Sequence, residues 1–153
     1  PFLEFLNIPD PLIEAHLASR TASIGMTTTG LIERALLSLE LFTDGEEKDV
    51  GALREKVRAT ARPYVRFHPE ALPECFFHHL VDPLYGSRFY SYLWSQMLAS
   101  ACFDHIVGML DLQAYRVFCD EVLSKGGGVD PSVLLRQFLG GEPTLRSFAE
   151  LFR

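Results

Sequence analysis

"SRFYSYLWSQMLASACFDHIVGM", residues 87–109, decides the fold class. Ser87 has the chemistry of a helix N-cap, and no proline interrupts the run from Arg88 to about Met109. Apolar residues occupy most sides of the helix this predicts, so it must be surrounded by other elements. It does not cross a membrane. Its longest apolar stretch, Phe89 to Phe103, is interrupted by Ser91, Ser95, Gln96 and Ser100, and a bilayer span needs roughly 20 apolar residues.

Helical punctuation continues on both sides of this segment. Downstream, "LQAYRVFCDEVLSK" is stopped by Gly126, "DPSVLLRQFLGG" has Asp130 as cap, Pro131 inside and Gly140 as stop, and "PTLRSFAELF" follows. Upstream, "PDPLIEAHLASR" is expected to start at Asp10 as N-cap with Pro11 at the first helical position. "GLIERALLSLELF" aligns Ile32, Ala35, Leu36 and Leu39, and "VGALREKVRATAR" buries Val50, Leu53 and Val57. Alternating β patterns are almost absent. The expectation is all-α, about seven helices with one long buried helix, in a single helical domain over residues 1–153. "PYVRFHPEALPECFFHHLVDPLYG" forms an irregular aromatic-rich connection held against the core.

Composition narrows the function classes. Fourteen Lys and Arg against 20 Asp and Glu give a formal charge of −6, and the basic residues are scattered, so a nucleic-acid backbone finds no footprint. Cys75, Cys102 and Cys119 show no C-x-x-C spacing, and two of them fall in apolar helical patterns. A reducing compartment, cytosol or mitochondrial matrix, fits that usage. The sequence begins at Pro1 with no signal or transit pattern, so any targeting segment is expected to have been removed or not to belong to the sequence given.

The chemistry-bearing residues concentrate in "HHLVDPLYGSRFYSYLW", residues 78–94. Read from residue types alone, aromatics at this spacing pack a core and satisfy their hydroxyls locally. None of the five histidines, His16, His68, His78, His79 and His105, has an i, i+4 partner, so no helix face offers a zinc pair. His78 and His79 are neighbours on an irregular segment and point apart, which reads as structural. The glycines 126–128 follow a helix and read as a stop and turn rather than a phosphate cradle. Glu46, Glu47 and Asp49 read as a solvated acidic loop.

The runs "HLV...YGSRFYSYLWS", "YRVFCDEVLSKGGG" and "DPSVLLRQFLGGEPTLRSFAELF" resemble the C-terminal part of the thimet oligopeptidase and mitochondrial intermediate peptidase family of zinc metallopeptidases. They look closer to the mitochondrial intermediate peptidase branch. "IPDPLIEAHLASRTASIGMTTTGLIERALLSLELF" is similar to the helical segment after that family's metal-binding helices. The resemblance implies peptide hydrolysis assisted by zinc, held through a His-Glu-x-x-His motif that this sequence does not contain. No cofactor is therefore expected in this chain, zinc only with an upstream metal-binding segment. It implies oxyanion or substrate contacts for His79, Tyr85 and Tyr92, and substrate-binding positions at Phe89 and Tyr90. Where the family has a glycine-rich link and a further tyrosine, this chain has Asp82, Pro83 and Leu84, and then Phe89.

Three readings follow from these residues. The chain is the substrate-side, C-terminal portion of a mitochondrial intermediate peptidase-like enzyme, inactive in isolation. Alternatively it is a structural subunit of a larger mitochondrial assembly, or a peptide-binding module without hydrolysis. All three expect a protein partner, either an upstream peptidase half or neighbouring subunits. Tyr85, Phe89 and Trp94 are the expected interface anchors.

Overall fold

In a computed structural model of the chain, the structure describes residues 8–45, 47–68, 70–108 and 112–150. Among the described residues all regular structure is helical, and there is no strand. Six α-helices run in chain order: α1 (Asp10–Leu41), α2 (Val50–Ala61), α3 (Ser91–Gly108), α4 (Leu112–Glu121), α5 (Pro131–Leu139) and α6 (Arg146–Glu150). Short 3₁₀ turns cover Pro73–Phe76, His78–Leu80, Gly86–Tyr90 and Leu123–Lys125. Two compact units divide within α3, residues 1–93 and residues 94–153.

The first two expected helices are one. The run Thr27-Thr28-Thr29-Gly30 does not break α1, because hydroxyls fold back onto the helix itself. Thr27 Oγ1 donates to the Ser23 carbonyl at 3.1 Å and Thr29 Oγ1 to the Gly25 carbonyl at 2.9 Å. Glycine costs a helix only about 1 kcal/mol relative to alanine. A Cβ at Gly30 would lie 3.5 Å from the Arg62 guanidinium, an ordinary contact. The start of α1 shifts by one residue: Pro9 is the N-cap and Asp10 is already helical.

The buried face of α1 is polar as well as apolar, which displaces the expected stripe. Ala35 and Leu37 are buried, together with Thr28, Glu33 and Ser38, while Leu36 and Leu39 face outward. Ser38 is fully enclosed, and its Oγ donates to the Gly86 carbonyl at 2.6 Å, tying α1 to the Gly86–Tyr90 turn. At that contact Gly86 has φ +27°, and a Cβ there would meet the Phe42 ring at 3.2 Å. Glycine meets both demands.

α2 is capped by Asp49, whose side chain accepts from Ala52 N at 2.9 Å. It buries Val57 and half-buries Leu53, but Val50 at its first turn stays exposed. Arg62 at its end pairs with Glu33 of α1 at 3.2 Å, and Arg54 reaches Glu74 at 2.7 Å. These ion pairs flank a core of Ala35, Leu37, Val57, Phe77 and Phe89, with Leu31, Leu41, Leu53, Leu80 and Leu93 packed against it.

In the second unit Asp130 caps α5 by accepting from Ser132 N at 2.8 Å, and that N–H bond holds its carboxyl below the usual aspartate range. Gly140 ends α5 in the left-handed region at φ +71°, with Gly141 N returning to the Arg136 carbonyl at 3.1 Å. Phe138 packs on His105 and Phe118, with ring centroids at 4.9 and 5.3 Å.

α3 corrects the expectation of a helix buried on most sides. Met97, Ala101 and Cys102 are buried, but Trp94, Phe103 and Val107 are exposed. The helix is apolar nearly all round, and the described residues cover only one stripe of it. Burial raises the Cys102 thiol pKa and keeps it a protonated hydrophobe, whereas Cys75 is exposed. Of the acidic loop, Glu46 lies outside the described residues, as do Leu151 and Phe152 at the end of the terminal helical pattern.

Candidate functional site

All parts of this site lie in the first unit. The 3₁₀ turn His78–Leu80 carries His79, and the chain then reverses over Asp82-Pro83-Leu84. Asp82 organises the reversal: Oδ1 accepts from Leu84 N at 2.8 Å, and its carbonyl accepts from Tyr85 N and Gly86 N, both at 3.0 Å. The proline-stiffened connection thus returns Tyr85 to the histidine instead of carrying it away. The Gly86–Tyr90 turn follows, and Tyr92 is in the first turn of α3.

His79, Tyr85 and Tyr92 come together. His79 Nε2 lies 3.2 Å from the Tyr92 hydroxyl. The Tyr85 and Tyr92 rings are stacked, 6.0 Å apart at 4°. His79 meets Tyr85 edge-on at 5.2 Å and Tyr92 edge-on at 5.8 Å. Phe89 forms the floor, with centroids 5.0 Å from His79, 4.9 Å from Tyr92 and 4.7 Å from Phe77.

The shifts at His79 and Tyr92 both favour the neutral form. Desolvation lowers the His79 pKa, assisted by neighbouring His78 and by Arg34, with Asp82 opposing. A hydrogen bond with Tyr85, then desolvation, raises the Tyr92 pKa. Between His79 Nε2 and the Tyr92 hydroxyl either group can donate, according to the histidine tautomer. The His79–Tyr92 contact and the Tyr85 ring stacked on Tyr92 form one cluster that carries two phenol hydroxyls. The two tyrosines are partly exposed, 37% for Tyr85 and 39% for Tyr92, so the cluster opens to solvent.

A pH dependence follows from the direction of the His79 shift. The folded pKa lies below the ordinary value of 6.5, so as pH falls through that region the unfolded chain takes up the proton first. The contribution of His79 to stability is complete above 6.5 and is lost as pH falls toward the folded pKa. Denaturant midpoints measured from pH 7.5 down to pH 5 are expected to fall, and a His79→Gln variant is expected to lose part of that slope.

The remaining sequence-derived positions are placed differently. Phe89 is only 4% exposed and supports the cluster from beneath, which makes it part of the core rather than a surface anchor. Tyr90 is exposed and has no ring contact with the cluster among the described residues. His78 is exposed beside His79, with ring centroids 4.2 Å apart. Phe77, Asp82 and Arg34 join the site without having been singled out by residue type. Among the described residues no three His, Cys, Asp or Glu side chains are grouped to hold a metal ion, so the donor set here does not fit zinc.

Comparison with known proteins gives this cluster its context. The chain is similar to oligopeptidase A of Escherichia coli (strain K12), 27% identical over 149 residues, covering 94% of this chain and 22% of that protein. It is 34% identical over 142 residues to mitochondrial intermediate peptidase of Mycosarcoma maydis, covering 87% of this chain and 16% of that protein. It is 26% identical over 147 residues to organellar oligopeptidase A, chloroplastic/mitochondrial, of Arabidopsis thaliana, covering 90% and 18%. The chain spans about a fifth of the length of these relatives, 16% to 22%. The family model of peptidase family M3 matches residues 4–153, nearly the whole sequence: this chain belongs to peptidase family M3.

Proposed function

We propose that this segment forms the substrate-side wall of an M3 peptidase catalytic site, with the His79–Tyr92–Tyr85 relay donating hydrogen bonds to a peptide carbonyl as it becomes an oxyanion. The observation that carries the reading is the cluster itself: His79 Nε2 lies 3.2 Å from the Tyr92 hydroxyl, the Tyr85 ring stacks on Tyr92, and both phenols are partly exposed above the Phe89 floor. Neutral donors suit this task because they stabilise negative charge only as it develops, without an ion to desolvate beforehand. Phe89 fixes the ring positions, and fixed donors need no reorganisation during reaction.

The residues described here hold no metal-ligand set, so the contribution proposed for this segment is the donor wall alone. The metal-bearing part of the site belongs to another segment, and the isolated chain is inactive. The mitochondrial intermediate peptidase branch is the proposed placement, supported by the 34% identity to the Mycosarcoma maydis protein, and the mitochondrial matrix is the proposed compartment. A protein partner is part of the same proposal. Phe76 is 88% exposed, Val81 85% and Leu84 71%, all within the loop that carries the relay. Apolar groups gathered like this are expected to be covered by the upstream peptidase half or a neighbouring subunit.

The test compares the 153-residue chain with the complete peptidase on quenched peptides. The chain alone is expected to show no turnover, with or without added zinc, while the complete protein cleaves. Chelator-sensitive turnover that co-purifies with the chain alone would contradict the division of labour. A complete protein that binds peptides without cleaving them would favour the peptide-binding module.

A further inference from the structure

Ser38 of α1 uses its hydroxyl differently from other helical residues of the chain. Thr27, Thr29, Thr60 and Ser100 each donate to a carbonyl of their own helix four residues earlier. Ser38 gives its one hydroxyl hydrogen instead to the Gly86 carbonyl, 48 residues ahead, at 2.6 Å and in full enclosure. The point it grips is decisive for the loop. Leu84 is 71% exposed and Phe89 4%, so Gly86 lies where the chain passes from solvent into the core. Gly86 also directly follows Tyr85, and the N–H groups of both bond the Asp82 carbonyl. Asp82 therefore sets the shape of the loop, and Ser38 fixes that shape to α1. The Phe42 ring at the end of α1 closes over the same glycine, 3.2 Å from where a Cβ would stand, and leaves the turn little slack.

We infer that Ser38 is a positioning residue for the Tyr85 hydroxyl. Being fully enclosed, it cannot itself reach a peptide. By holding the Gly86 carbonyl it determines where the Tyr85 ring stands against Tyr92 and His79. The inference rests on the donor-wall reading above and adds to it the residue that keeps the wall in register with the helix behind it. A donor displaced by about 1 Å can cost on the order of 10²-fold in rate. Peptide binding, spread over many contacts, is much less sensitive to the same shift.

The experiment uses the complete protein and one quenched peptide, with steady-state kinetics measured well below each variant's melting temperature. Ser38→Ala is expected to lower kcat about tenfold and to leave KM within about twofold of wild type. Ser38→Cys fills nearly the same space with a weaker donor and is expected to lose less, so the result does not depend on the alanine variant folding. Val57→Ala serves as the control, because it removes buried volume from the same core without touching the turn. It is expected to melt earlier with kcat unchanged. In a Tyr85→Phe background Ser38→Ala is expected to cost less than twofold more, since the hydroxyl it positions is already gone. Unchanged kcat in both Ser38 variants, an equal loss in the Tyr85→Phe background, or a matching loss in Val57→Ala overturns the proposal. Failure of the underlying reading shows separately, as unchanged kcat in Tyr85→Phe alone, and takes this role with it.

Discussion

Replacing Tyr92 with Phe in the complete peptidase is expected to lower kcat about 10²-fold or more and leave KM little changed. The substitution keeps the ring that stacks on Tyr85 and packs on Phe89, and removes only the hydroxyl that meets His79. A donor that matters only as negative charge develops is lost from the transition state and not from the bound peptide. Tyr85→Phe should act in the same direction, because it removes the terminal donor. The double variant should lose less than the product of the two single losses, since both interrupt one relay. Steady-state kinetics on one quenched peptide measures all of this. A proportional rise in KM at constant kcat would instead mark the tyrosines as ground-state binding groups.

Replacing Phe89 with Ala is expected to destabilise the chain by roughly 3–5 kcal/mol. The ring is 4% exposed and meets Phe77, His79 and Tyr92, so its removal leaves a cavity under the whole cluster. Tyr90→Ala, one residue further on and exposed, should change stability by no more than about 0.5 kcal/mol. Urea unfolding followed by circular dichroism separates the two. Near-equal effects would mean that Phe89 is not the support on which the relay rests.

The contrast between Phe89 and Tyr90 also marks what the sequence makes legible. The family resemblance implies substrate contacts at Phe89 and Tyr90, and only the three-dimensional course of the Gly86–Tyr90 turn sends Phe89 inward. The helices with hard punctuation, such as Asp130-Pro131 to Gly140, can be read directly, because caps and stops act locally. The length of α1 cannot, because Thr27 and Thr29 lend their hydroxyls to the helix that their residue type argues against. Its buried face is hidden for a related reason. A hydrophobic stripe picks out Leu36 and Leu39, while the actual face includes Ser38, whose burial is justified by a carbonyl 48 residues away. In the site, His79, Tyr85 and Tyr92 are legible through family resemblance. Arg34 and Asp82 carry no local signal: one arrives from α1 and the other acts through a turn.

The most direct measurement of the central claim is a crystal structure of the complete peptidase with a peptide whose scissile amide is replaced by a tetrahedral phosphinate. The relay account predicts a phosphinate oxygen about 2.7–3.1 Å from the Tyr85 or Tyr92 hydroxyl, the range for a donor aimed at an oxyanion. The His79 to Tyr92 hydrogen bond should be retained. A phosphinate bound with both hydroxyls beyond hydrogen-bonding distance would contradict the account and reduce the cluster to core packing.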